Sequence, residues 1–347
     1  MSELAQRIQR AWEGRISGCQ LGKPVELMSM REGYDALHAY LTAGDELPLR
    51  DYIGYQEGAR VDKACCRDYL TRSEPDDDIN YSVLSLLMLE QHGRALSTVD
   101  VARFWLRLLP AGQTYTAERA AYRVLLSNAA EWFAEGADPG FDLAECAANP
   151  YNTWIGAQIR TDLYGWVCPG DPEQAASLAR QDAALSHVDD GVYGAVIVAA
   201  LGAALADSAP EVALEKALAQ IPAHSGCAAA VQLAMQLRGD ADGPAQIRAH
   251  YGDLSPVATV NNLALVIWSL YSHLDDFGAA IGNVVSAGLD TDCNGATVGG
   301  LWGLQGDAIP AAWTAPWQGR VGLGLAGFDE VALDDLVART VAIAATG

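Results

Sequence analysis

Apolar residues recur at intervals of three and four along almost the whole chain, which is the period of helices with one buried face. Leu4, Ile8, Ala11, Trp12 and Ile16 predict an opening amphipathic helix over 3–18, stopped near Pro24. The same spacing predicts helices over 79–91, 98–109, 116–135, 154–165, 173–184, 191–206, 210–220, 226–237, 257–273, 276–287, 294–304 and about 331–344. Between them lie a polar, Gly-broken, Tyr-rich excursion over 31–73 with at most short helices, a loop over 136–153, and a Gly-, Pro- and Trp-rich stretch over 307–330. No segment reads as a sheet and no repeat period emerges. The pattern predicts an all-α protein of one domain, 1–347, with the excursion and a C-terminal extension (307–347) attached.

Composition narrows this. Half of the residues are apolar and only five are Phe, so the helices must pack through Ala, Gly, Leu and Val at short range. The net charge of −22 argues against a nucleic-acid partner, because affinity for phosphate backbones rests on Lys and Arg. The most apolar run, 191–206, is too short for a membrane span, and the N-terminus lacks the apolar core of a signal peptide. Seven Cys without C-x-x-C spacing suggest neither a zinc ribbon nor a disulfide framework, which points to the reducing cytoplasm.

Two acidic clusters stand out: Asp76-Asp77-Asp78 and Asp290-Thr291-Asp292, each just ahead of a small-residue apolar run. Each alone is explained by the preference of carboxylates for helix N-termini. If the two helix starts converge, their five carboxylates share one pocket, which suits hard divalent cations. Adjacent Asp77 and Asp78 point about 100° apart on a regular helix, and Asp290 and Asp292 point nearly opposite ways. Both pairs therefore need irregular backbone to share a target, and Gly288 makes that cheap for the second. His187 precedes a Gly-containing loop that opens an apolar helix. It reads either as a ligand-facing residue or as a structural histidine. Arg160, inside an apolar segment, reads either as a site residue or as a buried ion-pair partner.

Taken together these segments resemble the ADP-ribosylglycohydrolase family. Its G-x-x-x-G-x-P-x-E, T-D-D-T, N-G-x-A-M-R, S-H-x(4)-G-Y-x-G-A and G-G-D-T-D-T-N-A motifs have counterparts, in order. These are Gly18 to Glu26, Asp76 to Ile79, Ile155 to Arg160, Ser186-His187 through Gly194-Ala195, and Gly288 to Gly295. The resemblance implies an orthogonal multi-helix bundle holding two Mg²⁺ or Mn²⁺ ions. It implies metal ligands at Asp76, Asp77, Asp78, Asp290, Asp292 and Cys293, with Glu26 and Asp77 catalytic. It also implies substrate contacts at His187, Gly191, Tyr193, Gly156 and Arg160.

The departures matter as well. Asp76 and Cys293 stand where the family has Thr, and a neutral thiol is a poor ligand for a hard cation. Ile155 and Ile159 replace Asn and Met in the segment that cradles the distal part of ADP-ribose. The implied activity is metal-dependent hydrolysis of an N-glycosidic ribosyl bond, on an ADP-ribosylated protein or a simpler ribosylated small molecule. A small-molecule ribosidase of a metabolic or biosynthetic pathway and an inactive ribosyl-binding module are the alternatives.

Overall fold

The computed structural model describes residues 2–128, 137–305 and 307–346. The opening helix α1 (Glu3–Gly22) runs longer than its apolar spacing predicts, because Ser2 caps it and the chain past Ile16 is buried on every side. Pro24 sits in a single tight turn, after which α2 (Glu26–Glu32) restarts the helix with Glu26 at its first position. The polar excursion holds a ten-residue helix, α3 (Tyr34–Ala43), seated on Leu37, Tyr40 and Leu41. The structure thus corrects the expectation of short helices only.

The described helices continue as α4 (Asp77–His92), α5 (Thr98–Leu108), α6 (Thr116–Asn128), α7 (Asp162–Trp166), α8 (Pro172–Ala183) and α9 (Asp189–Ala204). There follow α10 (Pro210–Leu218), α11 (Gly226–Gln236), α12 (Gly243–His250), α13 (Thr259–Ser272), α14 (Phe277–Ser286), α15 (Thr291–Gly303), α16 (Ala311–Thr314) and α17 (Leu333–Ala344). The fold is all-α. The end of the helix expected over 116–135 lies outside the described residues, as does residue 136 of the expected loop.

Two expectations change in detail. The helix expected over 154–165 is a 3₁₀ turn, Ile155–Arg160, followed by the short α7. Its leading backbone groups bond sideways: Ile155 N donates to Val257 O (2.9 Å), and Thr153 O accepts from Thr259 N (3.2 Å). Residues 320–332 form an antiparallel hairpin, β1 (Arg320–Leu325) with β2 (Phe328–Ala332), in the register Val321↔Val331. The hairpin clamps the residues ahead of α4. Ser73 N donates to Arg320 O and Ser73 O accepts from Gly322 N (both 2.8 Å), while Gly324 N donates to Asn80 Oδ1 (2.8 Å).

The centre of the molecule is the antiparallel contact of α1 with α15. Gly14 meets Gly299, Gly18 meets Gly295, and Gly22 meets Thr291, backbone against backbone. A Cβ at any of the three positions would overlap the opposing carbonyl. Around this pair, α9 and α13 are buried along most of their lengths. Buried α9 has almost no polar face, so its apolar run is core. Among the described residues no helix is long and apolar enough to cross a membrane.

Candidate metal centre

Asp76 is the N-cap of α4. Its Oδ1 accepts from Asp78 N (3.0 Å) and its Oδ2 pairs with Lys23 Nζ at 2.5 Å. Both of its oxygens therefore have protein partners. Asp290 occupies the N-cap position of α15, without a side-chain capping bond, after two residues in the left-handed region, Gly288 (φ 85°) and Leu289 (φ 62°). Leucine disfavours that conformation, and the surroundings hold it there. Ser29 Oγ donates to Leu289 O (2.7 Å), and Asn262 Oδ1 accepts both Asp290 N (3.2 Å) and Asn294 Nδ2 (2.7 Å).

The two helix starts converge. Ligand atoms of Asp78, Asp292 and Cys293 lie within 4.8 Å of one another, as do those of Glu26, Asp290 and Asp292, and those of Asp76, Asp77 and Asp78. Asp292 belongs to two of these groups and joins them. Asp78, Asp290 and Asp292 are buried, whereas Glu26 and Asp77 are half-buried and form the open end.

Arg15, fully buried, aims Asp78: Nη2 lies 3.2 Å from Asp78 Oδ1, and Nη1 lies 2.9 Å from Asp162 Oδ2. It also donates to Asp78 O (2.9 Å) and to Ile159 O, tying the 155–160 turn to the cluster. That leaves Asp78 Oδ2, Asp290 Oδ1 and Asp292 Oδ1 buried without a partner. An unpartnered buried carboxylate oxygen is costly. Divalent cations held between Asp78 and Asp292, and between Asp290 and Asp292, would satisfy these oxygens, so the donor set fits such ions.

The charges are as crowded as the atoms. Burial, then Asp76, pushes the Asp77 carboxyl well above its ordinary range. Burial raises Asp78 likewise against the pull of Arg15, and burial with Glu26 and Asp76 raises Asp292. Glu26 is raised by burial and then by Asp290. For Asp76, burial acts upward but Lys23 outweighs it, and the carboxyl is held low.

These directions fix a pH dependence. Carboxyls raised in the fold hold protons that the unfolded chain releases above about pH 4, so without metal this cluster's contribution falls as pH rises through the raised values. His187 acts oppositely. Burial, then Arg160, depresses it well below 6.5, so its contribution is intact above about 6.5 and is lost as pH falls. We expect metal-free Asp292→Asn to lose less stability than wild type between pH 5 and 8, read as urea midpoints. Parallel pH curves would remove Asp292 from the charge cluster.

The residues expected on the substrate side gather around Glu118, a buried acid of α6. Arg160 Nη1 pairs with Glu118 Oε1 (2.6 Å) and Nε with Asp182 Oδ1 (2.5 Å), while Nη2 donates to Ser186 Oγ (3.0 Å). Its guanidinium also lies 5.0 Å from the Trp105 ring centre. The structure therefore uses Arg160 as an internal hub. His187 is buried, with Nδ1 2.8 Å from Ser186 Oγ and an unpartnered Nε2 3.9 Å from Glu118 Oε1. A Cβ at Gly156 would overlap the Glu118 carboxylate, and one at Gly191 would overlap Asn152 O and crowd the His187 ring. Tyr193 is half-buried against the core.

The two groups of residues adjoin. Glu118 is among the charges that raise Asp77, and Ile155 and Ile159 pack against Cys293.

Several residues of this neighbourhood escaped the sequence reading. Lys23 and Glu118 are single charges whose partners lie 53 and 42 residues away along the chain. Asn262 offered a signal, as half of an Asn-Asn pair inside an apolar helix. Gln158, with both amide atoms buried and unpartnered, lies inside a segment already singled out. Exposed Tyr115 stands close enough to the open end for Asp77 to act on its hydroxyl, and no sequence signal marked it.

Comparison with known proteins adds the context. No curated protein matches the chain. A solved structure titled "ADP-ribosylglycohydrolase-related protein complex" superposes with a TM-score of 0.58, covering 99% of both chains at 20% identity, which is a likeness of fold. The sequence profile described as ADP-ribosylglycohydrolase matches residues 1–342. That match takes in the excursion, both acidic helix starts and nearly all of the C-terminal extension, so this chain belongs to the ADP-ribosylglycohydrolase family.

Proposed function

We propose that the protein hydrolyses the N-glycosidic bond of a riboside with two divalent cations, Mg²⁺ or Mn²⁺, held among Asp76, Asp77, Asp78, Asp290, Asp292 and Cys293. The observation that carries this reading is the meeting of Glu26, Asp78, Asp290 and Asp292, with three buried carboxylate oxygens left unpartnered. Cations bound there supply Lewis acidity towards sugar hydroxyls and make water a usable nucleophile near neutral pH.

The chain's own residues do the rest. Glu26 stands at the open end with its carboxyl raised by burial and by Asp290, which suits a group that holds a proton and returns it. Asp77, similarly raised, is the second such group. The surrounding negative field favours the positive charge that develops at the anomeric carbon. Gly156, His187, Gly191 and Tyr193 border the sugar's far side, and Arg160 holds that border in shape through Glu118 and Asp182.

The use of Arg160 favours a small-molecule riboside over an ADP-ribosylated protein. A diphosphate needs several donors, and the cation of the 155–160 turn is taken by two carboxylates while Ile155 and Ile159 are apolar. The net charge of −22 adds long-range repulsion of polyanions. We expect kcat/KM for a neutral or monophosphorylated riboside to exceed that for ADP-ribosyl-arginine with Mn²⁺ present. Raising the ionic strength narrows a gap caused by repulsion and leaves one caused by shape. Faster turnover of ADP-ribosyl-arginine than of every simple riboside would return the chain to ADP-ribosyl substrates. Binding of ribosides without turnover of any would mark an inactive module. All seven cysteines are free thiols, which suits a reducing cytoplasm.

A further inference from the structure

Two sulfur atoms stand on the walls of the acid cluster. Cys293 Sγ is within 4.8 Å of carboxylate oxygens of both Asp78 and Asp292. Cys19, fully buried on the facing helix α1, has its thiol pushed up by burial and then by the Asp76 charge close by. Neither is in a disulfide. The glycine contact between α1 and α15 brings the helices that carry them together.

The two ends of the cluster differ in their surroundings. At one end Glu26, Asp290 and Asp292 offer only oxygen, and Glu26 is half-buried. At the other, Asp78 and Asp292 are 0% and 2% exposed, each with an unpartnered oxygen. There Cys293 is backed by Ile155 and Ile159. Mg²⁺ demands a near-octahedral oxygen shell and keeps several waters, and this apolar wall offers those waters no hydrogen-bond partner. Borderline cations accept thiolate and a smaller, tetrahedral shell.

We propose that the Asp78–Asp292–Cys293 end selects a borderline divalent cation of the zinc, cobalt(II) or iron(II) class through the Cys293 sulfur, while the Glu26–Asp290–Asp292 end takes a hard one. The inference rests on the cluster being a metal site and refines one of its two positions. Binding breaks the Cys293 S–H bond, forms a sulfur–metal bond and releases one proton to solvent. The metal's oxidation state does not change.

The test is a Co²⁺ titration of the reduced, metal-free full-length protein, followed by absorption. Visible ligand-field bands report occupancy, and a near-ultraviolet sulfur-to-cobalt charge-transfer band reports the thiolate. We expect both in wild type and in Cys19→Ser. In Cys293→Ser we expect the ligand-field bands to persist and the charge-transfer band to vanish, with zinc-over-magnesium selectivity reduced at least about tenfold. Occupancy without the sulfur band in wild type, or a band that survives Cys293→Ser, overturns the proposal and leaves the metal site standing. Absence of any cobalt bands in wild type overturns the metal site itself, and the proposal with it.

Discussion

Asp292→Ala is expected to abolish turnover, by about three orders of magnitude or more, since Lewis-acid stabilisation is worth several kcal/mol. The reason is geometric. Asp292 is common to the Asp78–Asp292–Cys293 and Glu26–Asp290–Asp292 groups, so its loss strips a ligand from both ends of the centre. The same variant separates binding from folding. A cation at a hundred times its Kd stabilises the native state by about 2.7 kcal/mol, and most of that rise in Tm should disappear. The metal-free variant, however, should be no less stable than wild type, because burial, Glu26 and Asp76 already disfavour ionisation of the Asp292 carboxyl. Thermal melts with and without Mn²⁺, run beside a riboside hydrolysis assay, read all three quantities. Wild-type turnover by Asp292→Ala in Mg²⁺ would sink the site assignment.

Gly18→Val should cost more than any surface change, about 4 kcal/mol or above, and is expected to leave little folded protein. The Cβ would fall on Gly295 O, which is backbone and cannot rotate away. Relief requires α1 and α15 to separate. The helices also meet at Gly22 and Thr291, where Thr291 Oγ1 donates to Gly22 O at 2.9 Å. Separation there would pull Glu26 away from Asp290 and Asp292. Even Gly18→Ala should lower both stability and metal-dependent stabilisation. Gly112 is the control: nothing lies within 4 Å of its notional Cβ and its φ is not left-handed, so Gly112→Ala should change stability by no more than about 0.5 kcal/mol. Denaturant midpoints decide it. A Gly18→Ala protein with the wild-type midpoint would show that the contact is looser than described.

Local pattern determined a good deal by itself. The 3.6-residue period of apolar positions is a property of each segment alone, and the all-α class and most of the helices could be read from it. Order and spacing of five short motifs likewise sufficed for the family. Where reading failed, the deciding bonds were not local. Residues 155–160 form a 3₁₀ turn because their leading backbone groups bond to 257–259, a strand-like partner that no window around Ile155 contains. The hairpin at 320–332 forms against Ser73 and Asn80, and its Gly-rich first strand carries weak strand propensity. The excursion's helix is held by three buried residues in a polar context.

At the site the division is sharper. Which residues carry carboxylates, thiols and glycines is written in the chain, and so is the need for irregular backbone before Asp290. That Gly14, Gly18 and Gly22 face Thr291, Gly295 and Gly299 is not, because close packing is a relation between two surfaces and each helix shows only its own. The roles of the charges were undetermined for the same reason. A guanidinium's task depends on which carboxylates the fold brings within about 3 Å, since Coulomb energy and desolvation both change steeply over that range. Arg160, open between site residue and ion-pair partner in the sequence, is engaged by Glu118 and Asp182 only once α6 and α8 close around it. Sequence alone determined the inventory of donors; tertiary structure decided which of their oxygens are already satisfied and which are left facing one another for a cation.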